Sequence, residues 1–290
     1  MPLRIRLPAI RNIAKISKDE NKIPTIPHFF NEELIDSYYP VKKAKLINAS
    51  GVLFHLEELH SVLRGIKKLL ADDGVLIVQF MYAGMLVDKL SFDMIYHEHL
   101  CYYTLNSLEC LLAMHDLEIF DAYFSEIHNG SIIAKISHSD NRYKFKITDR
   151  CKASFEIGEK YNLDTFKEAF ELIDFHLDEL STMLINLNLQ GKTIYALGAP
   201  VKGSTFLNTL KLDSRVIQKA FEKNPLKIGK YLPMSYIPIV EQNKDDLPDY
   251  FLLLSYNFRN EILEQFKDEI NSGKVKIIIP FPEIEIIDKF

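Results

Sequence analysis

The chain has 290 residues, of which 47% are hydrophobic and 26% charged, an ordinary globular balance with room for two packed cores. Its net charge of −5 gives no basic footprint for nucleic acid, and no apolar run approaches the roughly 20 residues that cross a bilayer. The basic start MPLRIRLPAIRNIAKISKDE has no apolar stretch and no small-residue cleavage site, so it reads as neither signal peptide nor anchor. Cys101, Cys110 and Cys151 are odd in number and lack CxxC spacing. That fits a reduced, cytoplasmic setting and gives no four-ligand zinc pattern.

Residues 8–23 read as a helix with Ile10, Ile13, Ala14 and Ile16 as its stripe. IPTIPHFF (23–30) reads as a short strand and turn, and AKLINASGVLFHL (44–56) opens as an apolar strand. Residues 56–74 form an amphipathic helix stopped by Asp-Asp-Gly. GVLIVQFMY (74–82) is a continuous β-branched run, the mark of a strand covered on both faces. SLECLLAMHDL (107–117) is helical, and EIFDAYFSEI, SIIAKISHS and RYKFKITD read as antiparallel strands. Residues 154–190 read as one or two long charged helices. The last hundred residues restart the alternation. KTIYALGA (192–199) is a strand, Gly203 to Leu212 a helix, DYFLLLSY (249–256) a strand, NEILEQFKDEINSG a helix and KVKIIIPF a final strand. Alternation of this kind indicates parallel sheets with crossover helices.

The densest polar cluster is FDMIYHEHLCYY (92–103). It concentrates Tyr96, His97, Glu98, His99, Tyr102 and Tyr103 beside Asp93. A histidine takes a proton near neutrality, a neighbouring Glu can fix its tautomer, and a Tyr hydroxyl can donate to a developing oxyanion. Two other readings stand beside that one. The two histidines, two residues apart, would share a face only on a strand and lack an evident third metal ligand, and the cluster could also be a buried polar network that ties a loop down. LGAPVKGST (197–205) follows a strand and opens a helix, so its N–H groups, with Lys202, Ser204 and Thr205, suit a phosphate or diphosphate. A plain strand-to-helix turn explains it equally. FEKNPLKIGKYLP (221–233) places Asn224, Lys227 and Lys230 in a basic loop at a strand end, where open α/β sheets bind ligands, or in a merely solvated loop. In HNGS (128–131), His128 lines a cleft or sits on a surface turn. His55 and His60 read as capping or surface residues, and Phe29-Phe30 as core or as an adenine contact.

In order along the chain, these segments resemble the sugar C-methyltransferase family, which methylates carbon 3 of nucleotide-linked 4-keto-deoxysugars with S-adenosylmethionine. IYHEHLCYYTL resembles the family's most distinctive motif, HNGSIIAKI its HGGS-type segment, and LGAPVKGSTFLN, NPLKIGKYLP, IPI (237–239) and LLLSYNF (252–258) its C-terminal domain. The fold implied is an incomplete class I methyltransferase Rossmann-like sheet with a second, C-terminal Rossmann-like α/β domain. Residues 1–150 would be the methyltransferase domain, 151–190 a helical connector and 191–290 the nucleotide-sugar-binding domain. The resemblance makes His99 the base, Glu98 its orienting partner and Tyr96 the group that stabilises the enolate oxygen. It makes Ser50, Gly51 and Phe29 contacts of the methyl donor. It assigns Lys202, Ser204, Thr205, Asn224, Lys227, Asn257 and His128 to the nucleotide sugar. No resident metal is implied.

The departures lie on the donor side. The family's cysteine-ligated zinc domain, first strand and glycine-rich loop have no counterpart in this sequence. Leu7 stands where the family has an acidic residue before Pro-Ala, Gly51 where it has Asn, Asn129 where it has Gly, and Tyr256 where it has Trp. The expectation is a truncated member whose sheet carries an open edge, with a separate chain as one source of the missing part. Its activity is then either methyl transfer or, in an impaired form, nucleotide-sugar binding alone. A nicotinamide-dependent sugar oxidoreductase would rest on α/β alternation only, because no dinucleotide fingerprint is present.

Overall fold

The computed structural model describes residues 17, 19–20, 22–38, 42–127, 130–140 and 145–290, with Asn257 by its backbone alone. Most of the expected first helix falls outside the described residues, as do Leu7, His128, Asn129 and the side chain of Asn257. The elements are α1 (Glu32–Ser37), β1 (Ala44–Ser50), α2 (Leu59–Leu69), β2 (Leu70–Met81), α3 (Met85–Asp88), α4 (Leu105–Ala113), β3 (Leu117–Ser125), β4 (Ser131–His138), α5 (Asp149–Gly158) and α6 (Leu163–Leu189). They continue with β5 (Ile194–Leu197), α7 (Val201–Thr209), β6 (Lys219–Glu222), β7 (Ile239–Glu241), β8 (Tyr250–Leu253), α8 (Arg259–Gln265), α9 (Lys267–Asn271), β9 (Lys276–Ile279) and β10 (Glu285–Ile287). Two compact units result. The first holds residues 1–83 and 98–160, the second 84–97 and 161–290.

The first unit is built on a four-stranded sheet of order β1-β2-β4-β3. β1 and β2 are parallel, and β2, β4 and β3 are antiparallel. α2 makes the crossover that a parallel pair requires. Its apolar face, Val62, Leu63, Ile66 and Leu69, is buried. The Asp-Asp-Gly stop lies inside β2, because α2 ends at Leu69 and the strand starts at once. Leu76, Val78 and Phe80 of β2 and Ile132, Ala134 and Ile136 of β4 are fully buried, as are Leu105, Leu108 and Leu112 of α4. α4 begins with Thr104 and Ser107 capping each other's backbone N–H groups. α5 is fastened to β3 through buried Asp121, which accepts from Thr148 Oγ1 at 2.7 Å and Arg150 Nε at 2.6 Å and lies 2.9 Å from Lys135 Nζ. Arg150 holds the Asp121 carboxyl well below the usual carboxylate range. IPTIPHFF forms no strand, its two prolines denying the ladder donors, and residues 145–148 of the expected third antiparallel strand are irregular. β1 lies at the edge of the sheet and Leu46 is 62% exposed.

The second unit carries six strands in the order β10-β9-β8-β5-β6-β7, all parallel except β10. Read from β7, the chain order is three, two, one, four, five, six, the doubly wound order of a Rossmann-type sheet, which reverses between β5 and β8. Alternate residues feed two cores. Ile194 and Ala196 of β5 and Leu252 of β8 face Ile173, Leu177, Leu180 and Leu184 of α6 and Phe206 and Leu207 of α7. Tyr195, Leu197, Phe251 and Leu253 face Leu263, Phe266 and Ile270 of α8 and α9 and the loop between them. Each fully buried Leu of this kind contributes about 1.5–3 kcal/mol.

The expected division of the chain is corrected in two places. α6 is not a connector, since its buried face fills the second unit's core. Residues 84–97 leave the first unit and add Leu90 and Phe92 to that same core.

Candidate functional site

In the first unit the candidate residues gather at the carboxyl ends of β1 and β2. Ser50 pairs with Gln79, and the Gly51 N–H donates to the Gln79 carbonyl at 2.8 Å. Gly51 has φ +65°, and a Cβ there would meet only Gln79 Oε1 at 4.0 Å. Open space beside a left-handed glycine at a strand's carboxyl end permits close approach of a ligand. Gln79 is buried and donates through Nε2 to Ser131 Oγ at 2.8 Å, which fixes the floor of this turn.

The next turn of chain, Leu53–His55, clamps the second half of the polar motif. The Phe54 carbonyl accepts from Leu100 N at 2.7 Å and Cys101 N at 3.3 Å. His55 Nδ1 lies 2.6 Å from the carbonyl oxygen of Glu98. A carbonyl only accepts, so Nδ1 carries the hydrogen. The His99 ring is buried, edge-on to Phe54 with centroids 4.8 Å apart, and 5.0 Å from the His55 ring. Tyr102 approaches His99 with a centroid separation of 6.3 Å, and Glu98 is exposed. The histidine is thus held by its neighbours' rings and backbone in one orientation. His55 is no idle surface residue, and nothing in its local sequence signals the bond to residue 98. His60 is also engaged, its Nδ1 lying 2.8 Å from His115 Nε2.

The motif is divided between the units. Glu98 and His99 belong to the first, Tyr96 and His97 to the second. Tyr96 is half-buried and follows the turn Phe92–Met94. Phe29 stands apart from the other donor-side candidates. It is 74% exposed and lines a shallow cavity of about 600 Å³ with His28, Asn31 and Tyr38, to which neither Ser50 nor Gly51 contributes. Among the described residues no group of three or more His, Cys, Asp or Glu is placed to hold a metal ion.

In the second unit the turn after β5 is shaped by Gly198, at φ +90°, where a side chain would strike Ser255. Lys202 enters the interior. Its Nζ lies 3.4 Å from Asp93 Oδ2 and 3.7 Å from the Tyr256 ring centroid. Burial pulls its pKa down against the pull of Asp93, and burial pushes the Tyr256 phenol well up. Ser204 and Thr205 are half-buried in the first two turns of α7. Asn224 and Lys227 come together at the end of β6 around Glu222. That carboxylate accepts from the N–H groups of Ala199 (3.2 Å), Lys223 (2.8 Å) and Asn224 (3.1 Å). Lys227 Nζ donates to the Ala199 carbonyl at 2.8 Å and lies 3.5 Å from Glu222. Glu222 and Asp93 lie inside motifs the sequence singles out, but their pairing with these loops carries no local sequence signal.

Residues 126–282 match the family model described as C-methyltransferase C-terminal domain. The chain belongs to the C-methyltransferase family. Residues 9–122 match a second model, described as Methyltransferase domain. C-methyltransferase NovU of Streptomyces niveus is 32% identical over 284 residues, covering 96% of this chain and 66% of NovU. This family member therefore spans about two thirds of that relative's length. Among solved structures, the O-methyltransferase NcsB1 from neocarzinostatin biosynthesis is 18% identical, covering 46% of this chain and 40% of its own with a TM-score of 0.34. The N-methyltransferase NodS from Bradyrhizobium japonicum WM9 is 13% identical, covering 47% and 72% with a TM-score of 0.34. No helix among the described residues is long and apolar enough to cross a membrane.

Proposed function

We propose that this family member takes part in methylation of a carbon atom of a nucleotide-linked 4-keto-deoxysugar in the cytoplasm. The observation that carries the proposal is the buried His99, held by Phe54 and by the His55 bond to Glu98 at the carboxyl ends of β1 and β2. The keto group of such a sugar acidifies the hydrogen on the neighbouring carbon. A ring nitrogen of His99 takes that proton, the electron pair moves onto the keto oxygen, and an enolate results. Glu98 balances the imidazolium charge, and the Tyr96 hydroxyl donates to the enolate oxygen. S-adenosylmethionine, when bound, supplies the electrophilic methyl that ends on the sugar carbon. The open turn at Ser50 and Gly51 fits that group, while Phe29, which lines another cavity, does not join them. Lys227, Asn224, Ser204 and Thr205 are proposed to face the nucleotide diphosphate, with Asn257 and His128 as the remaining candidates.

The test is His99→Ala. Methyl transfer to the 4-keto sugar should be lost, with nucleotide-sugar affinity kept within about threefold, because the change removes an interaction made only in the transition state. Surviving turnover sinks the assignment of the base. A second reading is a nucleotide-sugar-binding protein without turnover, carried by the lysines and hydroxyls at the carboxyl ends of β5 and β6 alone. Calorimetry with S-adenosylmethionine separates the two. Saturable binding supports transfer, and heat with thymidine diphosphate alone supports the second reading.

A further inference from the structure

Three ionisable side chains from distant parts of the chain meet inside the second unit. Asp93 sits on the turn Phe92–Met94 and is 1% exposed. Its Oδ1 accepts from the Tyr256 hydroxyl at 2.5 Å, and its Oδ2 pairs with Lys202 Nζ at 3.4 Å. The ammonium lies over the Tyr256 ring at 3.7 Å, so each of the three touches the other two. Lys202 is the second residue of α7, just beyond β5, and Tyr256 opens the turn after β8. These are the two strands between which the sheet order reverses. An open α/β sheet binds its ligand in the crevice at that point. Here the anion received is the chain's own carboxylate. The segment that brings it is anchored by Leu90 and Phe92, and Phe92 packs against Phe281 and Phe206 with centroids 5.4 and 6.1 Å away.

A buried carboxylate and ammonium depend on each other, and loss of one strands the other's charge. The Lys202 side chain is 13% exposed and its charge is already answered by Asp93. Lys227, with a side chain 37% exposed, holds the Ala199 carbonyl and Glu222 at the neighbouring strand end while still reaching solvent.

We propose that Asp93 is a positioning residue. By occupying the switch-point crevice through Lys202 and Tyr256 it fixes residues 84–97, and with them the phenol of Tyr96, while Lys202 takes no part in gripping a diphosphate. The consequence for Tyr96 rests on the methyl-transfer reading; the docking of the segment does not.

The experiment uses the full chain with Asp93→Asn, Lys202→Met and Lys227→Met. Tyr256→Phe, which removes the hydroxyl that bonds Asp93 and keeps the ring, serves where the first does not fold. Hydrogen exchange followed by mass spectrometry should show peptides within 85–97 exchanging about tenfold faster in Asp93→Asn or Tyr256→Phe, with β5 and β8 unchanged. Unchanged exchange in 85–97 overturns the docking. Calorimetry with thymidine and uridine diphosphates should show weaker binding in Lys227→Met and wild-type binding in Lys202→Met. Weakened binding in Lys202→Met returns that lysine to the diphosphate site and overturns the proposal. In methyl transfer, Asp93→Asn and Lys202→Met should lower kcat about 10- to 100-fold with the acceptor KM within about threefold, as a misplaced catalytic group does. A raised KM with intact kcat also overturns it. A wild-type chain without turnover removes the methyl-transfer reading and leaves the exchange result to decide the docking.

Discussion

The Nδ1 hydrogen of His55 is donated to the carbonyl oxygen of Glu98 across 2.6 Å, and the two rings His55 and His99 stand 5.0 Å apart. A side chain that follows β1 therefore sets the backbone from which the proposed base projects. His55→Leu should lower kcat for methyl transfer about 10- to 100-fold, because the base loses its fixed orientation. His55→Asn, whose amide can still donate to the carbonyl, should keep more of it. Steady-state kinetics of the two variants decides, and equal losses in both would show that the hydrogen bond is not the operative contact.

Asp121 supplies a pH prediction whose sign follows from its partners. Arg150 above all, with help from Thr148 and Lys135, holds its carboxyl below the ordinary 3.8, so the folded chain binds this proton less readily than the unfolded one. The stabilisation is complete above the ordinary value and is lost as pH falls below it. Asp121→Asn should cost on the order of 1–3 kcal/mol at pH 7 by removing the charge-assisted bonds that this buried carboxylate makes to Arg150 and Lys135. Urea midpoints measure it, and melting curves between about pH 3 and 7 should show a shallower acid decline in the variant. An unchanged midpoint at pH 7 would remove the cluster from the list of stabilising contacts.

Gly198 offers a backbone test in the second unit. Its φ of +90° disfavours any side chain, and a Cβ would run into Ser255 Oγ. Gly198→Ala should destabilise the chain by about 1–3 kcal/mol from the conformation alone, with the clash in addition. Pairing it with Ser255→Gly should recover only the steric part. Denaturant midpoints of the single and double variants would expose an error if Gly198→Ala were as stable as wild type.

The sequence made some of this legible and hid the rest for physical reasons. β2 and the strands β5, β8 and β9 are apolar runs whose burial is a local property, so pattern alone finds them. β7 and β10, of three residues each, are too short to carry a period. α6 carries many charges on its exposed side, which suggested a connector. The buried Ile173, Leu177, Leu180 and Leu184 were there to be read at helical spacing. The polar motif was conspicuous by density, yet its division between units depends on which core accepts Leu90 and Phe92. Apolar residues do not announce their partners. Lys202 was found as a lysine after a strand, but its partner Asp93 lies in another part of the chain, and the bond of His55 goes to a backbone carbonyl, which no residue type encodes.

The chain crosses between its two units inside the polar motif, leaving the first at Ala83, returning at Glu98 and leaving again after Lys160. A recombination joint placed near residue 160 would bring in a foreign C-terminal half and keep a native 84–97, whose Leu90, Phe92 and Asp93 would then meet a core they were not shaped for. An exchange of the second unit between relatives must move residues 84–97 and 161–290 together, so this lineage should diversify by point changes more readily than by shuffling halves.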